Sequence, residues 1–173
     1  MPIKKAVVTG GAGFIGSHVC DAVLAAGGEV LVIDNLSTGR MENLDDARSK
    51  WSSKLLVLEL SIADQQAAEA VCDFKPEVVF HLAAQMNVRR SVEAPVFDTH
   101  ENVVGTVNMV EAARCAGSRF VFSSTGGAIY GEQDLFPADE THAIRPKCPY
   151  GVSKRAAELY LEYYGREYAM VCT

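Results

Sequence analysis

The chain has 173 residues, 49 % of them hydrophobic, and its formal net charge is −6. This length suits a single domain with a sizeable core, and the composition is too apolar for a disordered chain. The acidic balance, without a basic stripe, argues against binding to nucleic acid or to an acidic membrane surface. No apolar run approaches the roughly 18 residues of a membrane span, and the first residues do not resemble a secretory leader.

The cysteines are odd in number and scattered, and no two have the spacing of a metal site or of a C-x-x-C motif. They are Cys20, Cys72, Cys115, Cys148 and Cys172. We therefore expect free thiols, a reducing cytoplasmic location and no bound metal.

A glycine-rich turn near the start of the chain is the strongest functional signal. A β-branched run over residues 6–8 predicts a buried strand, and a helical pattern starts at Phe14. Between them, Gly10, Gly13 and Gly16 are spaced three apart. Glycines at this spacing permit a tight turn, a close approach of the backbone to a pyrophosphate, and close packing of helix on strand. The free N–H groups at the helix start also favour phosphate, so the turn predicts a dinucleotide site.

An acidic residue follows the second predicted strand, residues 29–33, at Asp34. A carboxylate there can accept hydrogen bonds from the adenosine ribose and would repel a 2′-phosphate, so NAD is predicted rather than NADP. Arg40 is close enough in sequence to weaken that exclusion.

Strands and helices alternate along the rest of the chain. Further strands are predicted at 55–60, 77–82, 119–124 and 168–172, and helices within 41–50 and at 63–74, 95–116 and 150–164, the last ended by Gly165. Such alternation implies parallel strands joined by right-handed crossovers. The predicted fold class is therefore α/β, a doubly wound parallel sheet of Rossmann type in three layers, within one domain.

A tyrosine and a lysine, Tyr150 and Lys154, lie four residues apart on one face of the last predicted helix. A nearby cation favours phenolate and would lower the tyrosine pKa from about 10. Tyr150 could then take a proton from a substrate hydroxyl, while Lys154 could hold the nicotinamide ribose. The alternative is that Tyr150 and Lys154 are two ordinary residues on a solvated helix face. Their occurrence together with a predicted dinucleotide-binding fold favours the catalytic role.

Other polar residues are candidates for supporting roles. Ser124 and Thr125 end the fifth predicted strand, where a hydroxyl can relay a proton or simply cap a turn. Asn102 is polar within an apolar helical pattern, which predicts a buried hydrogen-bonding role. His18 and His81 are expected to be packed or capping residues, because no cluster of metal ligands accompanies them.

Taken together, these motifs resemble the extended short-chain dehydrogenase/reductase family, and within it the UDP-glucose 4-epimerases. The resemblance covers essentially the whole chain. It is carried by the segments 9–16, 34–39, 81–85, 102–106, 123–131 and 150–154.

The resemblance implies a tightly held NAD and a UDP-sugar substrate. Tyr150 would deprotonate the sugar 4-hydroxyl while the C4 hydride passes to NAD, and the hydride would return to the other face of a 4-keto sugar. Thr125 would occupy the catalytic Ser/Thr position with Ser124 beside it, and Asn102 would support the site. The helix from Pro95 and the helix of Tyr150 would pair with their copies in a homodimer.

The cofactor residues that the resemblance implies lie mainly after the carboxyl ends of the strands. They are Gly10, Gly13, Phe14, Ile15, Gly16, Asp34, Asn35, Ser37, Thr38, Gly39, Ser61, Ile62, Leu82, Ala83, Ala84, Gln85 and Asn102, together with Tyr150 and Lys154.

The sequence departs from the family pattern in two ways. The third strand usually ends in Asp-Ile, whose carboxylate contacts the adenine; here Ser61 replaces the aspartate, which predicts looser adenine binding. The family also continues well beyond this length to build the sugar pocket. We therefore expect residues 1–173 to be the NAD-binding domain of a longer protein.

Three alternatives to the epimerase remain open. The first is a binding module that holds NAD without turnover. The second is a sugar-nucleotide 4,6-dehydratase, which would need Asp-Glu after the catalytic threonine, where this chain has Gly126 and Gly127. The third is a decarboxylase relative.

Overall fold

A parallel sheet forms the centre of the molecule. The computed structural model describes residues 2–134 and 136–173. The strands are β1 (Lys5–Thr9), β2 (Glu29–Ile33), β3 (Leu55–Leu58), β4 (Val78–His81) and β5 (Arg119–Phe122). Their order is β3-β2-β1-β4-β5, and every neighbouring pair is parallel. The reversal of strand order at β1 confirms the predicted doubly wound sheet.

Helices connect the strands and cover the sheet. They are α1 (Phe14–Ala25), a 3-10 turn (Met41–Leu44), α2 (Asp45–Lys50), α3 (Gln65–Phe74), α4 (Val88–Glu93), α5 (Pro95–Thr99), a π-helical segment (His100–Val104), α6 (Gly105–Ala116), α7 (Gly126–Ile129) and α8 (Pro149–Tyr168). None of the helices within the described residues is long and apolar enough to cross a membrane.

The core lies on both faces of the sheet, because successive strand residues point to opposite sides. On β1, Val7 packs with the side that carries α3, α6 and α8, whereas Ala6 and Val8 pack with the side that carries α1 and α2. All three side chains are fully buried. Strands that are apolar on both faces require helices on both, which gives the predicted three layers.

The predicted long helix from Pro95 to Ala116 is continuous but irregular. Its middle turn, His100–Val104, is π-helical. A π turn inserts one extra residue into the helical ladder, and such turns are frequent at functional sites. Two short helices, α4 and α7, lie where the sequence predicted only loop.

The C-terminal boundary differs from the prediction. The last helix runs through Gly165 to Tyr168, and Ala169 ends it in a left-handed conformation with φ of 52°. The Tyr168 ring packs 5.4 Å from the ring of buried Tyr164 within the same helix. The extra turn also has tertiary support, because the Arg114 guanidinium of α6 lies over the Tyr168 ring. The sixth strand was therefore predicted to begin too early. Residues 171–173 run parallel to β5, with hydrogen bonds from Phe120 N to Val171 O and from Thr173 N to Phe120 O, both 2.9 Å.

Candidate functional site

One cleft crosses the carboxyl ends of the strands, and most of the predicted cofactor residues line it. These are Gly10, Gly13, Phe14, Ile15, Gly16, Asp34, Asn35, Ser37, Thr38, Gly39, Ile62, Leu82, Ala83, Ala84 and Gln85. The lining also includes residues that sequence reasoning missed: Ile33, Leu60, Met86, Asn87, Arg90, Phe97, Glu101 and Ser123. In an open α/β sheet, ligands bind at this edge, where the strand order reverses.

The glycine turn brings the backbone of β1 against the loop after β4. Gly10 has φ of +70°, and a Cβ there would lie 2.8 Å from the backbone nitrogen of Ala83. At Gly16, a Cβ would collide with the Gly10 carbonyl oxygen. The start of α1 has no side-chain cap, since its N-cap is Gly13. The first N–H groups of a helix have no intrahelical partner, so they remain available to an anionic ligand in the cleft.

The Asp34 carboxylate is fixed at the end of β2 by backbone amides. Its Oδ2 accepts a hydrogen bond from Ala12 N and its Oδ1 accepts one from Leu36 N, each at 2.9 Å. Gly39 packs against the same carboxylate. The side chain of Arg40 is exposed, and its backbone N–H donates to Ala12 O at 3.0 Å. Asp34 therefore presents a fixed negative charge to the cleft.

A buried histidine connects β1, β4 and α6. His81 Nδ1 lies 3.0 Å from Thr9 Oγ1, and its Nε2 lies 3.0 Å from Thr106 Oγ1. Thr106 donates its hydroxyl hydrogen to the Asn102 carbonyl at 2.7 Å, so its oxygen is left to accept from Nε2–H. Burial lowers the His81 pKa to about 3. His81 is thus a neutral packed residue, as the sequence predicted.

Asn102 joins the π-helical segment to the loop after β4. It accepts a hydrogen bond from Gln85 N at 2.8 Å and donates one to Gln85 O at 2.9 Å, so both backbone groups of a cleft residue are held. The buried hydrogen-bonding role predicted for Asn102 is present, although Asn102 is not part of the cleft lining.

Asp98, which sequence reasoning missed, completes this network. The side chain is fully buried. It accepts hydrogen bonds from Gln85 Nε2 at 2.9 Å, from Asn102 Nδ2 at 3.0 Å and from Ser153 Oγ at 2.7 Å. The available signal was a carboxylate one helical turn before Asn102, on the same helix face. Asp98 links the loop after β4, the long helix and α8.

The Tyr150 phenol lies close enough to Thr125 for the Thr125 side chain to affect its pKa, so the fold brings two of the predicted catalytic residues near each other. Burial is the largest cause that raises the pKa of Tyr150, and the nearby negative charge of Asp98 raises it further. The Thr125 side chain acts in the opposite direction. The expectation that Lys154 lowers the Tyr150 pKa is therefore wrong for this arrangement, in which burial dominates.

The Lys154 ammonium packs over an aromatic ring at the end of β5. Its Nζ is 4.2 Å from the centroid of Phe122, and the side chain is buried. Burial lowers the pKa of Lys154 to about 8, although the carboxylates of Glu158 and Asp98 oppose the shift. The ammonium is therefore stabilised by the ring and by acidic neighbours.

The two predicted hydroxyls after β5 have different surroundings. Ser124 donates its hydroxyl hydrogen to Glu158 Oε1 at 2.5 Å, whereas Thr125 lies near the Tyr150 phenol. Ser123, one residue earlier, lines the cleft.

Ser61 is not one of the residues that line the cleft. Its Oγ accepts a hydrogen bond from Ala63 N at 3.2 Å and lies 3.4 Å from Glu101 Oε2, to which it donates. Ile62 beside it does line the cleft.

Within the described part of the chain, no group of three or more His, Cys, Asp or Glu residues is arranged to hold a metal ion. What the cleft offers a ligand is a glycine turn, a fixed carboxylate and small residues. These features suit a dinucleotide: phosphates at the α1 start, and ribose hydroxyls at Asp34.

Comparison with known proteins identifies this arrangement. A family model described as "NAD dependent epimerase/dehydratase family" matches residues 6–173. Among curated proteins, the chain is 45% identical over 170 residues to a UDP-glucose 4-epimerase of Mycolicibacterium smegmatis, a match that covers 98% of this chain and 54% of that protein. It is also similar to a UDP-glucuronic acid decarboxylase of Arabidopsis thaliana, at 35% identity, with 92% of this chain and 36% of that protein covered.

Solved structures agree in fold. The structure of a Thermotoga maritima UDP-glucose 4-epimerase with UDP-glucose matches with a TM-score of 0.89 and 44% identity, and the match covers 97% of this chain and 53% of that one. A Thermus thermophilus UDP-glucose 4-epimerase in complex with NAD matches with a TM-score of 0.87 and 44% identity, with the same coverage. This chain therefore spans about half the length of the relatives it matches.

Proposed function

This chain belongs to the NAD dependent epimerase/dehydratase family, and we propose that it provides the NAD-binding and proton-transferring part of a UDP-sugar 4-epimerase. Family membership confirms NAD as the cofactor and confirms the resemblance drawn from the sequence motifs. The proposal of a UDP-glucose type of substrate is supported by several similar proteins that carry the name UDP-glucose 4-epimerase.

The observation that carries the proposal is that Tyr150 lies near Thr125, which follows β5 two residues after the cleft residue Ser123. A phenol and a hydroxyl that lie close together can address the same substrate oxygen, one of them taking its proton. We assign Tyr150 as the base for the sugar 4-hydroxyl and Thr125 as the residue that orients that hydroxyl. Ser124, bonded to Glu158, has a supporting place beside them.

Bound NAD supplies the hydride acceptor and a positively charged nicotinamide ring, and that charge favours ionised phenol nearby. Tyr150 then holds the proton while the sugar is a ketone and returns it when the hydroxyl forms again. Lys154, with a pKa lowered to about 8, contributes a buried positive charge on the same helix face. We assign it to the nicotinamide ribose hydroxyls.

The test is an assay of the interconversion of UDP-glucose and UDP-galactose, made on this chain and on a version that carries the further residues of a full-length relative. We expect NAD binding by both and turnover only by the longer version, because the sugar pocket of the family lies beyond this length. An NAD-loaded longer protein without turnover on any UDP-sugar would contradict the epimerase assignment.

A second candidate is an NAD-binding module without turnover. The short span of the chain against its relatives favours it for residues 1–173 alone, which we propose to be one NAD-binding domain. Dehydration is disfavoured by Gly126 and Gly127, which follow Thr125 in place of an acid and a base. A UDP-glucuronic acid decarboxylase is among the similar proteins, so decarboxylation of a sugar nucleotide is a further candidate reaction.

We also propose a homodimer and a cytoplasmic location. Exposed apolar and aromatic side chains lie on the outer faces of the long helix and of α8: Val96, Val104, Val152, Leu159, Tyr160 and Tyr163. On α8 they recur at helical spacing, which gives one continuous stripe. A second copy of the chain would cover it. The cytoplasmic proposal is supported by five free cysteines.

A further inference from the structure

A carboxylate that no motif pointed to, that of Glu101, lies in the cofactor cleft. Its place along the cleft follows from the strand order. The adenosine ribose belongs at Asp34, after β2, and Ser123 marks the opposite end, after β5. The adenine base therefore lies beyond Asp34 toward β3, where Leu60 and Ile62 line the cleft.

Glu101 reaches this end because the long helix packs closely on the turn after β3. A Cβ on Gly105 would lie 2.7 Å from Ile62 Cδ1, so a larger residue there would have to displace the Ile62 side chain. Asn108 Nδ2 then donates to the carbonyls of Ile62 at 2.7 Å and Asp64 at 2.9 Å, which fixes the turn against the helix. Glu101, one turn before Gly105, faces the same turn and accepts from Ser61 Oγ at 3.4 Å.

The Glu101 side chain is only 15% exposed, so its carboxylate is held in position. Oε2 accepts from Ser61, and Oε1 lies 3.2 Å from His100 Nδ1. A carboxylate offers about four lone-pair positions and donates nothing when ionised. With two contacts, the Glu101 carboxylate can still accept hydrogen bonds from a ligand in the cleft that it lines. The neighbouring Ser61 hydroxyl is already engaged, since it accepts from Ala63 N and donates to Glu101, and Asp34 is assigned to the ribose hydroxyls.

Adenine presents one donor group on its edge besides apolar ring surface, the exocyclic 6-amino group. We infer that Glu101 accepts a hydrogen bond from the adenine 6-amino group of NAD and so selects adenine at this end of the cleft. Recognition of adenine would use two features: the apolar side chains of Leu60 and Ile62 against the ring, and the Glu101 carboxylate against the amino group. It depends on NAD binding and is independent of the proposed epimerase chemistry.

The experiment compares NAD with nicotinamide purine dinucleotide, in which a hydrogen atom replaces the 6-amino group and no N–H donor remains on the base edge. Both are titrated against the protein, its Glu101→Gln and Glu101→Ala variants, and a matched Glu69→Gln variant on the exposed face of α3. A hydrogen bond to a charged group is worth about 1.5–3 kcal/mol. The unmutated protein should therefore prefer NAD by about tenfold or more, and so should Glu69→Gln.

In Glu101→Ala the preference should disappear. In Glu101→Gln it should shrink, because a neutral amide oxygen accepts a weaker hydrogen bond from the amino group than a carboxylate does. Removal of a negative charge changes the affinity for both anionic ligands alike, so the ratio of the two affinities isolates the hydrogen bond. Thermal unfolding verifies that each variant is folded.

An unchanged ratio in the two Glu101 variants would overturn the inference, as would equal affinities in the unmutated protein. Neither result bears on the proposed function, which depends on turnover and on Tyr150. Conversely, a protein that discriminates the two dinucleotides but converts no UDP-sugar would leave the inference standing and remove the epimerase assignment.

Discussion

At the scale of single residues, the phenol of Tyr150 is the group on which the proposed chemistry depends. Tyr150→Phe keeps the ring and deletes only the hydroxyl, which lies near Thr125. In a full-length protein we expect turnover to fall by roughly a hundredfold or more while NAD stays bound, because acid–base catalysis contributes a factor of that size. Turnover and cofactor content are measured on the same preparation. Near-normal turnover by Tyr150→Phe would contradict the proton-transfer role of Tyr150 and leave it a packing role only.

Asp34 should decide between the two dinucleotides. Its carboxylate is fixed by two backbone amides, so its charge would repel the 2′-phosphate of NADP. Asp34→Ala should weaken the binding of NAD and reduce the difference in affinity between NAD and NADP, as measured by titration calorimetry. Equal affinities for both cofactors in the unmutated protein would exclude this explanation.

Lys154 should make stability depend on pH in an unusual direction. Its pKa falls from 10.5 to about 8 on folding because the side chain is buried. Between these pH values the unfolded chain binds the extra proton, so Lys154 contributes a rise in stability from pH about 8 to about 10.5, on the order of 3 kcal/mol. The raised pKa values of Cys20 and Cys72 lower stability over part of the same range in any variant. The quantity to measure by urea unfolding is therefore the difference in the free energy of unfolding between the unmutated protein and Lys154→Met, which should increase with pH. A difference that stays constant with pH would contradict the assignment to Lys154.

At the scale of elements, the Asp98 network holds three segments together at the site. Asp98→Ala removes the acceptor for Gln85, Asn102 and Ser153 and leaves buried donors unsatisfied. Each unsatisfied buried group costs about 1–3 kcal/mol, so we expect the free energy of unfolding to fall by at least about 2 kcal/mol. Denaturant titration measures the loss. Ser153→Ala, which removes one donor and keeps the carboxylate, is the matched control and should cost less.

The same elements show what the sequence could and could not predict. The glycine turn and Asp34 were predictable because their chemistry depends on local backbone geometry and a short spacing. Asp98 and Glu101 were missed because their roles arise from helix packing over long sequence distances. The end of α8 was placed too early for a related reason: the Arg114 guanidinium of α6 packs over the Tyr168 ring, and this tertiary contact outweighs the tendency of Gly165 to end a helix.

At the scale of the whole molecule, the stripe on α8 and the long helix should be an interface between two copies. Val96 and Leu159 are 83% and 50% exposed, which is unusual for a continuous apolar surface that stays in water. We expect light scattering at high concentration to give a dimer mass. Leu159→Glu should shift the protein toward monomer, because it places a charge in the centre of the apolar contact.

The matched control for this shift is Leu56→Glu on strand β3, which forms the edge of the sheet opposite to β5. The Leu56 side chain is 52% exposed. The two substitutions add the same charge at similar exposure, so any difference in mass comes from the position. A monomer mass for the unmutated protein, or an equal shift in both variants, would contradict the dimer. A shift confined to Leu159→Glu would support the α8 stripe as the interface, because only that variant places its charge there.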